Sequence, residues 1–198
     1  EGAGIVVLER LSDPRRNGHP VLAVILGSAV GHDGRSASLT APNGTAQRQV
    51  LGRALAAAGV TPGSVQVVEG HGTGTALGDA IELAALADVY GGPERAEPLR
   101  VGSLKTQIGH LEAAGGVAGL LKLVLALHHG VVPPSIGFEQ PSPALGPLRV
   151  PVRPEAWPRP RRAAVSAFGL SGTNAHLILE APESAAPTVD PAPSPFRR

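Results

Sequence analysis

The sequence contains no cysteine and no methionine, and aromatic residues make up only 3% of its 198 positions. Without cysteine there can be no disulfide framework, no thiolate zinc site and no cysteine nucleophile within this chain. Lys and Arg number 17 against 16 Asp and Glu, so the formal net charge is +1. A dedicated nucleic-acid binder needs a basic face and aromatic stacking groups, and nucleic acid is therefore not an expected partner.

Long apolar runs and a signal-peptide pattern are also missing, so we expect no membrane partner and a cytoplasmic location. Hydrophobic residues at 42% of 198 positions are enough to build the core of one globular domain. The chain begins with Glu1 rather than methionine and soon enters an apolar stretch. We therefore expect it to be a piece of a longer protein.

Glycine and proline are abundant, with 26 and 20 residues, and the placement of the prolines is informative. One proline cluster lies at 133–160 and is followed by further apolar segments, which indicates an irregular connection inside the fold. The other lies at 182–195, where too little apolar surface is present to offset the entropy of ordering. We therefore predict one domain over 1–180 and a disordered, Pro-rich interdomain linker over 181–198.

Short Val, Ile and Leu runs of strand length alternate with longer Ala- and Leu-rich stretches of helix length. This order predicts a layered α/β domain. The predicted strands are 4–9, 21–30, 65–69, 99–103, 164–168 and 175–180.

Two helices have recognisable ends. Apolar residues share one face over 45–58, and Gly59 provides the stop signal for that helix. A second helix is predicted to begin at Asp79, which would cap the free amides while Glu82, three positions on, completes a capping box.

A third helix is predicted from about His110 to His129. It is apolar nearly all round, with Lys122 as the one charge between 113 and 127. It is too short to span a bilayer, so we predict a buried central helix. Glycines at 115, 116 and 119 would let it approach a neighbouring element closely.

The first unusual segment is 69–75, which places His71 among glycines and follows a predicted strand. Glycine at every second position allows a ligand to approach the backbone, while Thr73 and Thr75 keep hydroxyl groups there. The spacing matches neither a P-loop nor a dinucleotide-binding fingerprint. The pattern alone leaves a plain tight strand-to-helix turn equally open.

The second segment, 103–110, runs from a strand into the third helix and contains Lys105 and His110. Charged and polar side chains beside an apolar element are costly unless they have partners. At a helix start, the macrodipole would keep His110 a neutral N–H donor, which suits an oxyanion. Taken alone, such a histidine is more often a packed or surface residue, but His71 in a similar position favours a shared site.

The third segment, 166–174, is a strand, a turn of small residues and another strand. A Gly-rich hairpin is the simpler interpretation. The functional alternative is a loop in which Phe168, Gly169 and Leu170 turn backbone amides toward the same cleft. No spacing of His and carboxylate residues supports a metal site.

Together these segments resemble the C-terminal half of a β-ketoacyl synthase domain, that of the ketosynthases of modular type I polyketide synthases. The matching strings are VEGHGTGTALGDAIEL (68–83), VGSLKTQIGHLEAAGGVAGLLKLVLAL (101–127) and AVSAFGLSGTNAHLILE (164–180), and GSAVGHDGRSASLTAPNGTAQ (27–47) is also similar. The resemblance extends over nearly the whole chain up to Glu180.

The resemblance implies the thiolase-like fold, a layered αβαβα arrangement of which this chain would supply mainly the C-terminal half. It also implies decarboxylative Claisen condensation between an acyl group on a cysteine and a malonyl-type unit on an acyl carrier protein. The implied partners are the N-terminal half of the ketosynthase, the acyl carrier protein and a second copy in a homodimer. No cofactor is expected to bind directly, because the substrates are carried on the phosphopantetheine of the carrier protein.

By motif match, His71 and His110 would hydrogen-bond the thioester carbonyl as enolate charge develops, and Lys105 would organise the histidines electrostatically. Thr73 and Thr75 would line the phosphopantetheine channel. Phe168, Gly169 and Leu170 would contact substrate; Leu170 occupies the place where many relatives have a phenylalanine that gates the acyl pocket.

Small departures from the family pattern are Gly70 for Ala, Ala80 for Pro and Gln107 for Asn. The large departure is the missing nucleophilic cysteine, which belongs to the other half, so the chain alone is expected to be inactive. Two alternatives remain: a truncated, non-catalytic ketosynthase remnant that docks a carrier protein or scaffolds other domains, and an unrelated small-ligand α/β binder that shares glycine-rich turns.

Overall fold

The computed structural model describes residues 1–36, 38, 41–93, 95–139 and 145–183, so most of the predicted linker, from 184 onward, lies outside the described residues. The helices are α1 (Ser12–Asn17), α2 (Gly44–Ala58), α3 (Ala76–Tyr90), α4 (Lys105–Ile108) and α5 (Gly115–His129). The strands are β1 (Val24–His32), β2 (Val67–Glu69), β3 (Leu99–Gly102), β4 (Val131–Val132), β5 (Leu148–Arg149), β6 (Glu155–Ala156), β7 (Arg162–Phe168) and β8 (Thr173–Glu180). Single 3-10 turns lie at Pro62–Ser64 and Glu112–Ala114.

A six-stranded sheet with the order β1-β8-β7-β2-β3-β5 forms the centre of the fold. β8 pairs antiparallel with both β1 and β7, whereas β2 pairs parallel with β7 on one side and with β3 on the other. The carboxyl ends of β2, β3 and β7 therefore lie at the same edge of the sheet. β4 and β6 form a separate two-stranded pair.

Both faces of this sheet are covered by helices. On one face, Val68, Ala164 and Ile178 belong to the core that includes α2 and α3. On the other face, Val67 and Leu179 pack with residues of α5. Strand residues alternate between the two cores because successive side chains point to opposite sides of a sheet. The result is three layers, α/β/α, as expected for an α/β domain.

The predicted strands at 21–30, 65–69, 99–103, 164–168 and 175–180 are confirmed, with ends shifted by up to three residues. The predicted helix at 45–58 is confirmed as α2. The side chain of Asn43 caps it by accepting the amides of Thr45 and Ala46, and Gly59 ends it in the left-handed region at φ 64°.

The predicted start of α3 at Asp79 is wrong, because the helix begins three residues earlier at Ala76. Thr75 is its N-cap and accepts the Gly78 amide at 3.2 Å. The predicted capping box is wrong as well, since the carboxylate of Glu82 faces the preceding loop instead.

The third predicted helix begins later than expected and is not buried all round. Gly109 takes φ 76°, which ends α4 and leaves His110 in a connection, so that α5 begins only at Gly115. One face of α5 packs on the sheet, while Leu125 on the opposite face is 56% exposed. The predicted close approach is confirmed, because a Cβ on Gly116 would lie 3.2 Å from the Cβ of Ala167.

The predicted strand at 4–9 is wrong, because no regular structure is assigned there. A Cβ on Gly4 would lie 2.9 Å from Val117 Cγ2, so this segment passes over α5. The backbone groups of a helix are already paired with one another and offer no ladder for a strand. Ile5 is consequently 90% exposed.

Among the described residues, no helix combines the length and the hydropathy that crossing a membrane requires.

His176, which the sequence pattern does not place in any functional group of residues, makes two hydrogen bonds in the core. It is fully buried, with Nε2 at 2.7 Å from Tyr90 Oη and Nδ1 at 3.0 Å from Ser166 Oγ. Burial lowers the pKa of His176 from 6.5 to about 3. The imidazole is therefore neutral in the folded protein at neutral pH, and its two hydrogen bonds join β7, β8 and α3.

We expect His176→Gln to lower the free energy of unfolding at pH 7.5 by about 1 to 3 kcal/mol, because a buried partner of Tyr90 and Ser166 is altered. Below pH 6.5 the imidazole of His176 is protonated in the unfolded wild type but stays neutral in the folded wild type. The wild type should then lose its advantage by about 1.4 kcal/mol per pH unit.

Urea unfolding at pH 7.5, 6 and 5 measures this difference. Contributions from other titrating groups such as His71 and Glu82 are common to both proteins and cancel. A difference between the two proteins that stays constant with pH would contradict a neutral buried His176.

Candidate active site

The three segments singled out in the sequence meet at one edge of the sheet. In register, Glu69 at the end of β2 pairs with Gly102 of β3 and with Val165 of β7. The loops that follow these strands therefore emerge side by side. This is where open α/β sheets bind their ligands.

The loop after β2 is held by Glu82 of α3, whose side chain is buried. Its Oε1 accepts the His71 amide at 2.7 Å and its Oε2 accepts the Gly72 amide at 2.8 Å. Burial raises the pKa of Glu82 to about 6, although the two amides oppose the shift. The sequence analysis did not predict this role of Glu82. An acidic residue on the sheet-facing side of an otherwise apolar helix was the one feature that could have indicated it.

The imidazoles of His71 and His110 lie together, with ring centroids 5.6 Å apart and planes at 82°. The ring of Phe168 lies 5.7 Å from that of His71. The expectation of one shared site for the two histidines therefore agrees with the geometry, although they are 39 positions apart in sequence.

Backbone amides determine which nitrogen of each ring carries the proton. Phe168 N–H donates to His71 Nδ1 at 3.4 Å, and Glu112 N–H donates to His110 Nδ1 at 2.9 Å. An accepting Nδ1 places the proton on Nε2, so each ring can donate one hydrogen bond from Nε2. The predicted macrodipole effect on His110 is wrong, because α5 begins five residues later. The orientation of the His110 ring is set instead by its hydrogen bond with the Glu112 amide.

Burial, followed by the charge of Lys105 and electrostatic coupling to His110, lowers the pKa of His71 to about 4. At neutral pH this imidazole is a neutral hydrogen-bond donor. Such a group stabilises negative charge that develops on an oxygen without first holding a charge of its own.

Lys105 begins α4 and lines a small cleft between the end of β2, β7, α4 and α5. Within the described part of the chain, its ammonium makes no hydrogen bond. Burial lowers the pKa of Lys105, while the carboxylates of Glu69 and Glu82 oppose that shift. The imidazoles of His71 and His110 lie outside the lining of this cleft.

Of the remaining predicted residues, Phe168 contacts His71, whereas the others make no hydrogen bond to either imidazole. Thr73 and Thr75 are exposed, and their hydroxyl oxygens are 3.4 Å apart. In the β7–β8 hairpin, Gly169 donates its amide to Thr173 O at 2.7 Å, and Leu170 is 77% exposed. The hairpin interpretation of 166–174 is thus confirmed, and its contact with the histidines is made by Phe168.

Within residues 1–36, 38, 41–93, 95–139 and 145–183, no three His, Asp or Glu side chains cluster as a metal site would require. The arrangement brings together two N–H donors and one ammonium. It is suited to stabilising an oxyanion, and the sequence contains no cysteine to act as a nucleophile beside it.

Residues 22–139 match the family model described as "Beta-ketoacyl synthase, C-terminal domain". The chain is 55% identical over 190 residues to the polyketide synthase GfsB of Streptomyces halstedii, covering 92% of this chain and 3% of that protein. It is 55% identical over 202 residues to the erythronolide synthase EryA3 of Saccharopolyspora erythraea, covering 98% of this chain and 6% of that protein. The chain therefore spans only a small part of these relatives.

Solved structures are similar as well. The ketosynthase from module 6 of the bacillaene synthase of Bacillus subtilis 168 superposes with a TM-score of 0.84 at 36% identity, covering 89% of this chain and 34% of that one. The oxazolomycin ketosynthase domain OzmH KS7 of Streptomyces albus JA3453 gives 0.84 at 39% identity, covering 94% and 34%. These matches confirm the thiolase-like fold and exclude an unrelated small-ligand binder.

We expect Glu82→Ala to destabilise the chain by about 2 to 4 kcal/mol, because the amides of His71 and Gly72 lose a buried acceptor. Hydrogen exchange at these two amides should become faster by a larger factor than at amides of α2.

Glu97→Gln is the matched control, because the side chain of Glu97 is 70% exposed and its ion pair with Arg100 does not involve the loop after β2. It should leave both measurements unchanged. Unaltered exchange at His71 and Gly72 in Glu82→Ala would contradict the role assigned to this carboxylate.

Proposed function

The chain belongs to the β-ketoacyl synthase family, as part of the C-terminal portion of a polyketide ketosynthase. From this premise we propose that its parent protein elongates polyketides by decarboxylative Claisen condensation. The observation that carries the proposal is the pair of imidazoles, His71 and His110, which share one site and each carry a proton on Nε2. In the proposal this chain supplies the decarboxylation half of the site. The N-terminal half of the ketosynthase supplies the nucleophilic cysteine.

In the proposed reaction, both Nε2–H groups donate to the thioester carbonyl oxygen of a malonyl-type unit. The bond from Cα to the carboxyl carbon breaks, CO2 leaves, and the electron pair forms an enolate whose oxygen these two donors stabilise. The enolate carbon then attacks the acyl thioester on the cysteine, and the thiolate leaves. Donors that interact more strongly with the enolate than with the carbonyl lower the barrier.

Lys105 enters the neighbouring cleft as an ammonium that makes no hydrogen bond within the described residues. We assign it the electrostatic organisation of the site, because a nearby positive charge keeps His71 neutral and favours an anionic intermediate. The pKa of His71 is lowered partly by this ammonium.

The substrate arm is proposed to pass the exposed hydroxyls of Thr73 and Thr75 as the phosphopantetheine of an acyl carrier protein. The acyl chain is proposed to meet Phe168, Gly169 and Leu170. The proposal includes a homodimer in the parent protein and a cytoplasmic location. No cofactor beyond the carrier-borne phosphopantetheine enters the reaction.

A non-catalytic carrier-docking or scaffold module is the second candidate. It is favoured by the absence of cysteine from the sequence and by the open apolar face that includes Ile5, Leu121 and Leu125. The two candidates differ in one respect, namely whether condensation appears when the other half of a ketosynthase is added.

We expect the isolated chain, incubated with acyl carrier protein thioesters, to gain no acyl mass, because it has no thiol to accept the group. Adding a ketosynthase N-terminal half that carries the nucleophilic cysteine should restore condensation. Intact mass spectrometry follows both steps. Acyl transfer to the isolated chain would overturn the proposed division of labour, and binding of the carrier without condensation would favour the docking module.

In the reconstituted synthase, we expect His71→Ala and His110→Ala each to slow malonyl decarboxylation by at least about 100-fold, because each removes one oxyanion donor. His129→Ala is the matched control: His129 ends α5 and is exposed, away from the site. Release of CO2 from malonyl carrier protein is the measurement. Retention of most of the rate in either variant would refute the proposed mechanism.

A further inference from the structure

Glu69 is a buried carboxylate that joins three elements beside the cleft. It is the last residue of β2, and its side chain is 4% exposed. Oε1 accepts the Leu104 amide at 2.5 Å, and Lys122 of α5 donates its ammonium to Oε2 at 2.5 Å. Both carboxylate oxygens are therefore used, one by the residue that precedes α4 and one by α5.

Gly119 makes room for this arrangement on α5. A Cβ at Gly119 would lie 3.0 Å from Glu69 Cγ and 3.3 Å from Val165 Cγ2. Lys122 follows three residues later, so it lies on the same face of the helix. The side chain of Glu69 thus passes over the glycine and reaches the ammonium of the next turn.

Lys105 follows Leu104 directly and lines the same cleft as Glu69. Lys105 and Lys122 are the only lysines in the sequence. The carboxylate of Glu69 thus accepts a hydrogen bond from Lys122 and acts on Lys105 through space.

Three charged groups act on Lys105, namely Glu69 from β2, Glu82 from α3 and Lys122 from α5, and the neutral imidazole of His71 in the loop after β2 is coupled to it as well. Burial lowers the pKa of Lys105, the two carboxylates raise it and Lys122 lowers it. Glu69 and Lys122 therefore act on Lys105 in opposite directions.

We infer that Glu69 and Lys122 form a positioning pair for Lys105: the carboxylate fixes the Leu104 amide, and with it the point at which the Lys105 ammonium enters the cleft, while Lys122 anchors that carboxylate on α5. The pair touches neither substrate nor the imidazoles and acts through Lys105. Its relevance to catalysis rests on the proposed function, whereas its effect on Lys105 does not.

The first experiment uses the chain itself and needs no activity. The ammonium of Lys105 is titrated by NMR in the wild type, in Glu69→Gln and in Lys122→Met. Glu69→Gln keeps the size and one acceptor oxygen but removes the facing negative charge, so the pKa of Lys105 should fall by about one unit. Lys122→Met removes the opposing positive charge, so the pKa of Lys105 should rise by a similar amount.

The double variant Glu69→Gln/Lys122→Met guards against misfolding, because it leaves no buried charge unpaired. Asp88→Asn is the control, since it opens a surface ion pair with Arg48 on the other side of the sheet and should not move the titration. Shifts of Lys105 in the same direction in both single variants, or no shift in either, would overturn the positioning pair.

The second experiment measures malonyl decarboxylation against pH in the reconstituted synthase. The alkaline limb of the profile should move to lower pH in Glu69→Gln and to higher pH in Lys122→Met. In Glu69→Gln we expect kcat to fall about tenfold, while KM stays within about twofold of the wild-type value. A general loss of stability would lower activity in both variants without these opposite displacements.

The two experiments separate the possible failures. Opposite titration shifts with an unmoved activity profile would overturn the link between the pair and catalysis and leave its effect on Lys105 intact. Unmoved titration in a synthase that still needs His71 and His110 would overturn the pair alone.

Discussion

Parallel pairing of β2 with both β3 and β7 is the constraint on which the rest of the structure depends. Parallel neighbours end at the same edge of a sheet, so the loops that carry His71, Lys105 and Phe168 emerge together. These residues are far apart in the chain and have no local reason to meet. Both faces of the sheet are buried under helices, which fixes the register of the strands because a slip of one residue would exchange the two cores.

Two buried carboxylates convert this common edge into a defined site. Glu82 accepts the amides of the His71 loop, and Glu69 accepts the amide that precedes Lys105. Each reaches its loop from a different element, one from α3 and one from β2. A loop rich in glycine has much conformational freedom, and these hydrogen bonds restrict it at the positions that bear the reactive side chains. The His71 and His110 rings are then oriented by amides of Phe168 and Glu112.

Five of the six predicted strands, the helix α2 and the three site segments follow from the sequence, because hydrophobic periodicity and glycine placement are local properties. The short strands β4, β5 and β6 were not predicted. Among the expectations that failed, three were decided by contacts that hydrophobic periodicity does not reveal. Thr75 took the cap of α3 and left Glu82 free to bind a loop. The stretch at 4–9 has strand composition, yet it lies over α5, which offers no hydrogen-bonding ladder. The apolar surface of α5 indicated complete burial, but Leu125, on the face away from the sheet, is 56% exposed.

The sequence by itself determined the α/β class, the family and the residue types available for catalysis, including the lack of a thiol. These are properties of composition and of short motifs, which do not depend on what lies nearby in space. Only the tertiary structure decided that the two imidazoles share one site, that both carry their proton on Nε2, and that Glu69 reaches Lys122 across Gly119. The tautomer of His71 and the ion pair of Glu69 with Lys122 depend on partners 97 and 53 residues away, which reach the site only when the parallel strands pair.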